Sequence, residues 1–489
     1  PDGEWIGFGD TFGGVLGLRR IAVTGGPVLN IADATSFLGS DWRADGSIVY
    51  VPALGSSGVW MMADDGSGSR QVTTVLDSLG ETGHAWPQFL PDGKSLLFTV
   101  GGPSGGWSDG RIVVQDITSG ERHAEIEGAT YGRYVRTGHI VYAQADGTIL
   151  AAPFDLGGFE VGDPFPVASD VRVAAWGGGA SFAVSDGGTF AFVQGTNQDY
   201  LLSWLDREGT LVRQLGPPLN GAWPTISPDG SRVAFTLREP DHNDIWLADA
   251  ATGRREHFTL LSAEDESPMW SPDGQQIAYS TAGTGESRRI YIKPVDGSSE
   301  PELIYTGEYH LHLTDWSPDG EWLAFDQLHP ETGNDVLLVS ADGAGRLLAV
   351  DTTRAQSSNP VFSPDGEWLA YASDESGRLE VYAVPFPELT PKTFITVDGG
   401  SAPRWNEIGD ELFYLGPGDT ITVVSVNTQG PSPRPGPPRP LFPIVVDYPF
   451  DVAPDGQHFV VLTPNPDAPA REIQIVLNWL EELEAKVGN

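Results

Sequence analysis

A five-residue stretch that returns at a fixed interval limits this chain more than any other feature. Trp270-Ser271-Pro272-Asp273-Gly274 comes back as Trp316-Ser317-Pro318-Asp319-Gly320 and Phe362-Ser363-Pro364-Asp365-Gly366, with looser copies at Ile226 to Gly230, Phe89 to Gly93 and Val452 to Gly456. Proline presets φ at the first turn position, aspartate bonds back to the backbone, and glycine takes the left-handed conformation that closes a hairpin. Apolar residues precede each copy and an alternating run follows, as in Trp322-Leu323-Ala324-Phe325. Each copy therefore reads as strand, tight turn, strand.

The step between copies is roughly 45 residues, the length of a four-stranded propeller blade. Weaker copies at Ala44, Thr137-Gly138-His139, Ser185-Asp186-Gly187 and Trp405 to Asp410 bring the count to about eleven. A single ring usually holds four to eight blades, so two rings are needed. The polar stretch Gln194 to Asp199 has turn formers and no apolar periodicity, and marks the join. The expected fold is all-β, with two tandem propellers of four-stranded blades, about six blades each. Residues 1–197 form the first and 198–489 the second. Leu201 to Leu205 and Leu211 to Leu215 start the second ring, whose last blade is expected from Phe450 to Leu462 plus Glu472 to Leu477. Pro1-Asp2-Gly3 reads as a copy cut short, so the first ring is expected to lack a blade at its N-terminal side. Asn478 with Glu481, and Leu480 with Leu483, predict a short helix over 479–486. Pro431 to Pro440 reads as an extended polyproline connection.

Composition narrows the function classes. A formal charge of -39, with lysine only at 94, 293, 392 and 486, repels phosphate backbones and anionic membranes, so no nucleic-acid partner is expected. The chain has no cysteine, which excludes disulfides, thiolate metal sites and a cysteine nucleophile. No apolar run reaches the roughly 18 residues of a membrane-spanning helix.

The repeats resemble the TolB-type, or PD40, family of WD40-like β-propellers. Phe89-Leu90-Pro91-Asp92-Gly93, Tyr142 to Asp155, Ser373 to Tyr382 and the ending Ile475-Val476-Leu477-Asn478-Trp479-Leu480-Glu481-Glu482-Leu483 are similar to the propeller region of bacterial membrane-bound Ser/Thr protein kinases. That resemblance implies an extracytoplasmic location in a bacterium and a sensor or recognition role. The chain itself has no H-R-D loop, no D-F-G and no glycine-rich loop followed by a strand lysine, so kinase chemistry is not expected of these residues.

The catalytic inventory is thin. Gly102-Pro103-Ser104-Gly105-Gly106 fits G-x-S-x-G, but it falls in a glycine-rich loop rather than between a strand and a helix. The turn aspartates stand one to a blade, each committed to its own turn. His310 and His312 are one residue apart and share a strand face, so together they could hold a divalent metal. Spacing names no third ligand, and hydrogen-bonded channel histidines are the expected outcome, with no metal and no cofactor.

In a propeller the Pro-Asp-Gly turns mark one face, and the blade-to-blade connections mark the other. The second face of the second ring carries Asp241, His242, Asp244, Glu264, Asp265, Glu266, His310, His312, His329, Arg354, Asp374 and Glu375. Converging loops around a funnel are where this architecture takes a ligand. The expected function is a non-catalytic recognition module for a protein, peptide or small ligand. The alternatives are an assembly subunit of an envelope or extracellular complex, and a hydrolase or lactonase dependent on a channel metal.

Overall fold

The computed structural model describes the chain except for residues 1–2, 13–14, 35–36, 53–56, 103–106, 108, 175–177, 196–199, 240–241, 261–263, 283–287, 330–331, 431, 445–449, 469–471 and 488–489. Among the described residues the strands form eleven antiparallel sheets, and the single α-helix is Trp479–Val487. The chain divides into two compact units, one built on Pro1–Asn197 with Ala468–Asn489 and the other on Gln198–Gly283 with Ser287–Asp467. Both units are β-propellers, with five and six sheets respectively.

The turns form as their chemistry requires. At Ser271 to Gln276, the Ser271 hydroxyl donates to Asp273 at 2.6 Å, the Gln275 amide donates to the same carboxylate at 3.0 Å, and the Gly274 amide returns to the Ser271 carbonyl at 2.8 Å. Gly274 has φ 69°, a conformation that would strain a residue with a Cβ. The degenerate copy at Asn406 closes by other means: its side-chain oxygen accepts from Gly409 and Glu411, and its amide donates to Asp410.

In the second unit the blades begin at Gly221–Ile226, Asp265–Trp270, Leu311–Trp316, Ser357–Phe362 and Ser401–Trp405, each the first strand of its sheet. The sixth sheet runs Asp451–Val452, His458–Pro464, Tyr200–Asp206, Leu211–Gln214, so strands from both ends of the unit share one blade. Each first strand neighbours the next, and Asp451–Val452 neighbours both Ser401–Trp405 and Gly221–Ile226, which closes a ring of six. The first strands therefore line the central channel. Each of the five longer ones carries a one-residue bulge. In four blades it lies at an X-Pro pair whose first residue is left-handed: Trp223, Ser267, Asn359 and Ala402. The blade of Leu311–Trp316 differs, with Thr314 where the others have proline and a bulge between Leu313 and Asp315. Buried apolar residues pack between neighbouring sheets, such as Met269, Ile290, Leu313, Phe325 and Leu337.

Two expectations are corrected. The segment after Asp467 does not complete the second ring. Ile473–Val476 pairs with Phe190–Val193, and the helix that follows buries Trp479, Leu480 and Leu483 against Phe182 and Phe190 of the first unit. The reason is edge availability: Tyr200–Asp206 already occupies the outer edge of His458–Pro464, whereas Phe190–Val193 offers an unpaired ladder. The second difference is the proline-rich run. Arg434–Pro435 and Arg439–Pro443 pair with Thr420–Asn427 as outer strands, where a missing amide is tolerated.

Candidate functional site

The strand Leu311–Trp316 places His312 on the channel, with Leu311 and Leu313 turned into the blade core. His310 precedes it by two residues, and its carbonyl accepts the Leu328 amide at 2.8 Å. The two rings meet edge to face, their Nε2 atoms 3.0 Å apart. Directly across the hairpin, His312 faces Asp326, whose Oδ1 lies 3.3 Å from Nδ1. The other oxygen of Asp326 accepts the Asn359 amide at 3.1 Å, from the next blade. With Nδ1–H directed at Asp326, Nε2 of His312 is an acceptor and His310 donates to it through its own Nε2.

The preceding blade contributes a carboxylate. Glu266 holds one oxygen 2.8 Å from the Asn243 side-chain amide. Ligand atoms of Glu266, His310 and His312 all lie within 4.8 Å of one another, with all three residues half-buried. The Trp223 ring stands 5.0 Å from the His312 ring, and Arg238 lies 5.1 Å over Trp223. Trp223, His312, Asp326, Asn359 and Arg404 line a small cavity on this channel.

Burial dominates the electrostatics. It holds His310 well below the usual imidazole range, helped by Arg288, His312 and Arg238. Burial, reinforced by Glu266, pushes Glu264 up to about 7 against the pull of Arg288 and Arg238. Asp265 is likewise pushed by burial to about 7, against a lowering influence of the neighbouring Thr281 and Thr259 hydroxyls. Nearer the turns, Asp315 accepts the Phe362 amide of the next blade at 2.6 Å, and burial raises it to about 7. Burial also raises Asp451, which accepts the Ile226 amide at 2.7 Å. The arrangement offers two imidazoles and a carboxylate that can hold a cation, next to Glu264 and Asp265, which burial raises to about 7.

The sequence-derived candidates separate into groups. Glu264, Glu266, His310 and His312 converge, joined through Asn243 to His242 and Asp244. His242 sits 3.2 Å from Asp244 and 3.1 Å from Glu239. Asp265 is buried, close to Thr259, Thr281, Asp244 and Glu266. The remaining candidates are not brought to it. His329 meets Tyr309 edge to face at 4.9 Å, Arg354 is exposed, and Asp374 accepts the Gln356 amide at 2.8 Å. Glu375 binds Lys392 at 2.6 Å, beside Asp351. Asp241 and Ser104 lie outside the described residues. Asp326, Asn359, Trp223 and Arg404 were not singled out from sequence. One signal was available: Asp326 is a charged residue that directly follows the apolar run Trp322-Leu323-Ala324-Phe325 on a largely buried strand.

No helix among the described residues is long and apolar enough to cross a membrane. A family model described as the PD40 TolB β-propeller domain matches residues 185–329. The Tol-Pal system protein TolB of Alcanivorax borkumensis is 31% identical over 91 residues, 18% of this chain and 20% of that protein. A Bacillus subtilis protein named as an uncharacterized peptidase, YuxL, is 27% identical over 86 residues, 16% of this chain and 13% of that protein. The chain thus spans a fifth or less of the length of these relatives. The solved TolB of Acinetobacter baumannii aligns over 71% of this chain and 77% of its own, at 14% identity and a TM-score of 0.41. Residues 185–329 thus carry PD40 TolB-type repeats, and the sheets built on them are β-propeller blades.

Proposed function

We propose that the protein is a non-catalytic recognition module of the bacterial envelope, working outside the cytoplasm and taking a protein or peptide on the funnel face of its second ring. The observation that carries this reading is an asymmetry between the two ends of that ring. At the turn end, Asp229, Asp273, Asp319, Asp365 and Asp455 each accept from amides of their own turn. At the other end, Glu264, Glu266, His310, His312 and Asp326 converge from neighbouring blades, more polar groups than the fold itself needs. Carboxylates predominate there, which favours a partner that presents positive charge. The similarity to TolB supports an envelope role. A receptor-kinase context, with the propellers as the outer sensor, is the finer form of the same reading.

The test compares two equally exposed positions on opposite faces. Leu260, 76% exposed, lies in the connection between the first and second blades of the ring, and Ile408, 79% exposed, lies in a turn. A photo-crosslinking residue at 260 should capture one discrete protein from an envelope extract, in a salt-dependent manner, while the same group at 408 should not. Equal capture at both positions, or none at 260, refutes the reading.

A further inference from the structure

We propose that Glu266, His310 and His312 bind a divalent transition-metal ion in the channel of the second ring, with Asp326 and Asn243 as positioning residues. The inference does not rest on the recognition reading, because metal uptake is read on the metal itself.

Geometry is the first support. Two imidazole nitrogens 3.0 Å apart, each about 2.1 Å from a common ion, subtend about 90° at it, the cis angle of an octahedral centre. A carboxylate oxygen of Glu266 lies within 4.8 Å of the histidine ligand atoms, and a side-chain shift of about 1–2 Å brings it to the third corner of the face. Three protein ligands on one face leave the remaining positions open towards the channel. Two imidazoles and one carboxylate suit zinc, cobalt, nickel, iron or manganese better than calcium or magnesium, which prefer all-oxygen shells.

The second support is that two of the three ligands already have an outer partner. Asp326 receives Nδ1 of His312, which leaves Nε2 as the lone-pair nitrogen facing the site. Asn243 holds one oxygen of Glu266. Metal entry requires His310 to carry its proton on Nδ1, so that both Nε2 atoms present lone pairs. Arg238 and Arg288 act on His310 with positive potential; Glu264 lies within reach of the same two arginines and of Glu266, and Asp326 faces His312. His312 stands directly opposite Asp326 across the hairpin, a position that Ser280, Thr236 and Ala372 occupy in neighbouring blades.

The experiment uses the full chain, purified without a polyhistidine tag, stripped with chelator and titrated with Co2+. The wild type should take up one equivalent at this site with a visible ligand-field spectrum, displaced by Zn2+ and not by millimolar Mg2+ or Ca2+. His310→Ala, His312→Ala and Glu266→Gln should each weaken Co2+ binding by about 100-fold or more, and Asp326→Asn by about 10- to 100-fold. His458→Ala, at the start of the strand that follows a turn at the other end of the ring, should bind as the wild type does. If His312→Ala fails to fold by circular dichroism, His312→Gln replaces it. The proposal is overturned if the wild type binds no Co2+, if the ligand variants bind as tightly as the wild type, or if Ca2+ displaces Co2+.

Discussion

Replacing Glu81 with alanine should destabilise the first unit by about 4 kcal/mol, the usual cost of breaking a buried ion pair by removing one partner. Glu81 is fully buried, and its carboxylate is the centre of a polar cluster. One oxygen accepts from Arg111 at 2.6 Å and from Arg122; the other accepts from Arg122 at 2.9 Å, from the Leu76 amide at 2.8 Å, and lies 3.4 Å from Nε2 of His84. The chain continues through His84 Nδ1 to the Thr73 hydroxyl at 2.7 Å, which accepts the Val59 amide. Alanine leaves two guanidinium groups with only the half-exposed Glu125 as counter-charge, and an amide without its acceptor. Burial alone would raise the Glu81 carboxyl, but hydrogen bonds from His84, Arg122 and the Leu76 amide bring it down to about 2. A lowered carboxylate contributes stability that is present above its unfolded value near 4.5 and is lost as pH falls towards 2. Glu81→Gln should therefore cost less than alanine and remove part of the acid sensitivity. The assay is urea unfolding followed by hydrogen exchange in peptides covering 84–100 and 111–127, which isolates the first unit from the second. A loss below about 1 kcal/mol for Glu81→Ala, or an unchanged acid profile in Glu81→Gln, would show that water replaces the carboxylate at little cost.

Two further outcomes are expected. Asp315, raised to about 7 by burial, binds a proton more tightly folded than unfolded, so its contribution to stability is full below about pH 4 and fades as pH rises to about 7. In chelator, the unfolding free energy of the second ring should fall across that window, and Asp315→Asn should reduce the slope by up to about 1.4 kcal/mol per pH unit; a slope unchanged in the variant contradicts this. Leu480→Ala empties a buried contact of the C-terminal helix, at a cost of about 2–5 kcal/mol. Hydrogen exchange should quicken in Phe190–Val193, the strand that Ile473–Val476 covers, and protection retained there would contradict the docking.

The blades were legible because each Ser-Pro-Asp-Gly turn closes on its own atoms, so five residues suffice to specify it wherever it occurs. The third member of the channel cluster was harder to see, since Glu266 is 46 residues from His312 in sequence. Yet each stands five residues before its turn serine, Ser271 and Ser317, just as Glu264 and His310 each stand seven before. Equal offsets in successive blades are neighbours around the channel, and comparing the repeats column by column would have found the set. Asp326 enters from a second strand, where only its charge within a buried run betrays it. Alternation in Ile473–Val476 identifies a strand but not which edge it joins, because that choice depends on which ladder is left open elsewhere. The same limit hid the pairing of Arg439–Pro443.

The pairing of Ile473–Val476 with Phe190–Val193 also sets an order of events during synthesis. Every strand of the second ring lies between those two segments in the chain, so the ribosome must deliver that ring before the first unit can receive its last strand and helix. At about 5–20 residues per second, the edge at Phe190–Val193 stays open on the order of tens of seconds. The second ring has its own wait, since Tyr200–Asp206 meets His458–Pro464 only after five blades have been made. The inserted ring can thus close while its host is still incomplete, and chaperones that shield bare sheet edges would act first on the host.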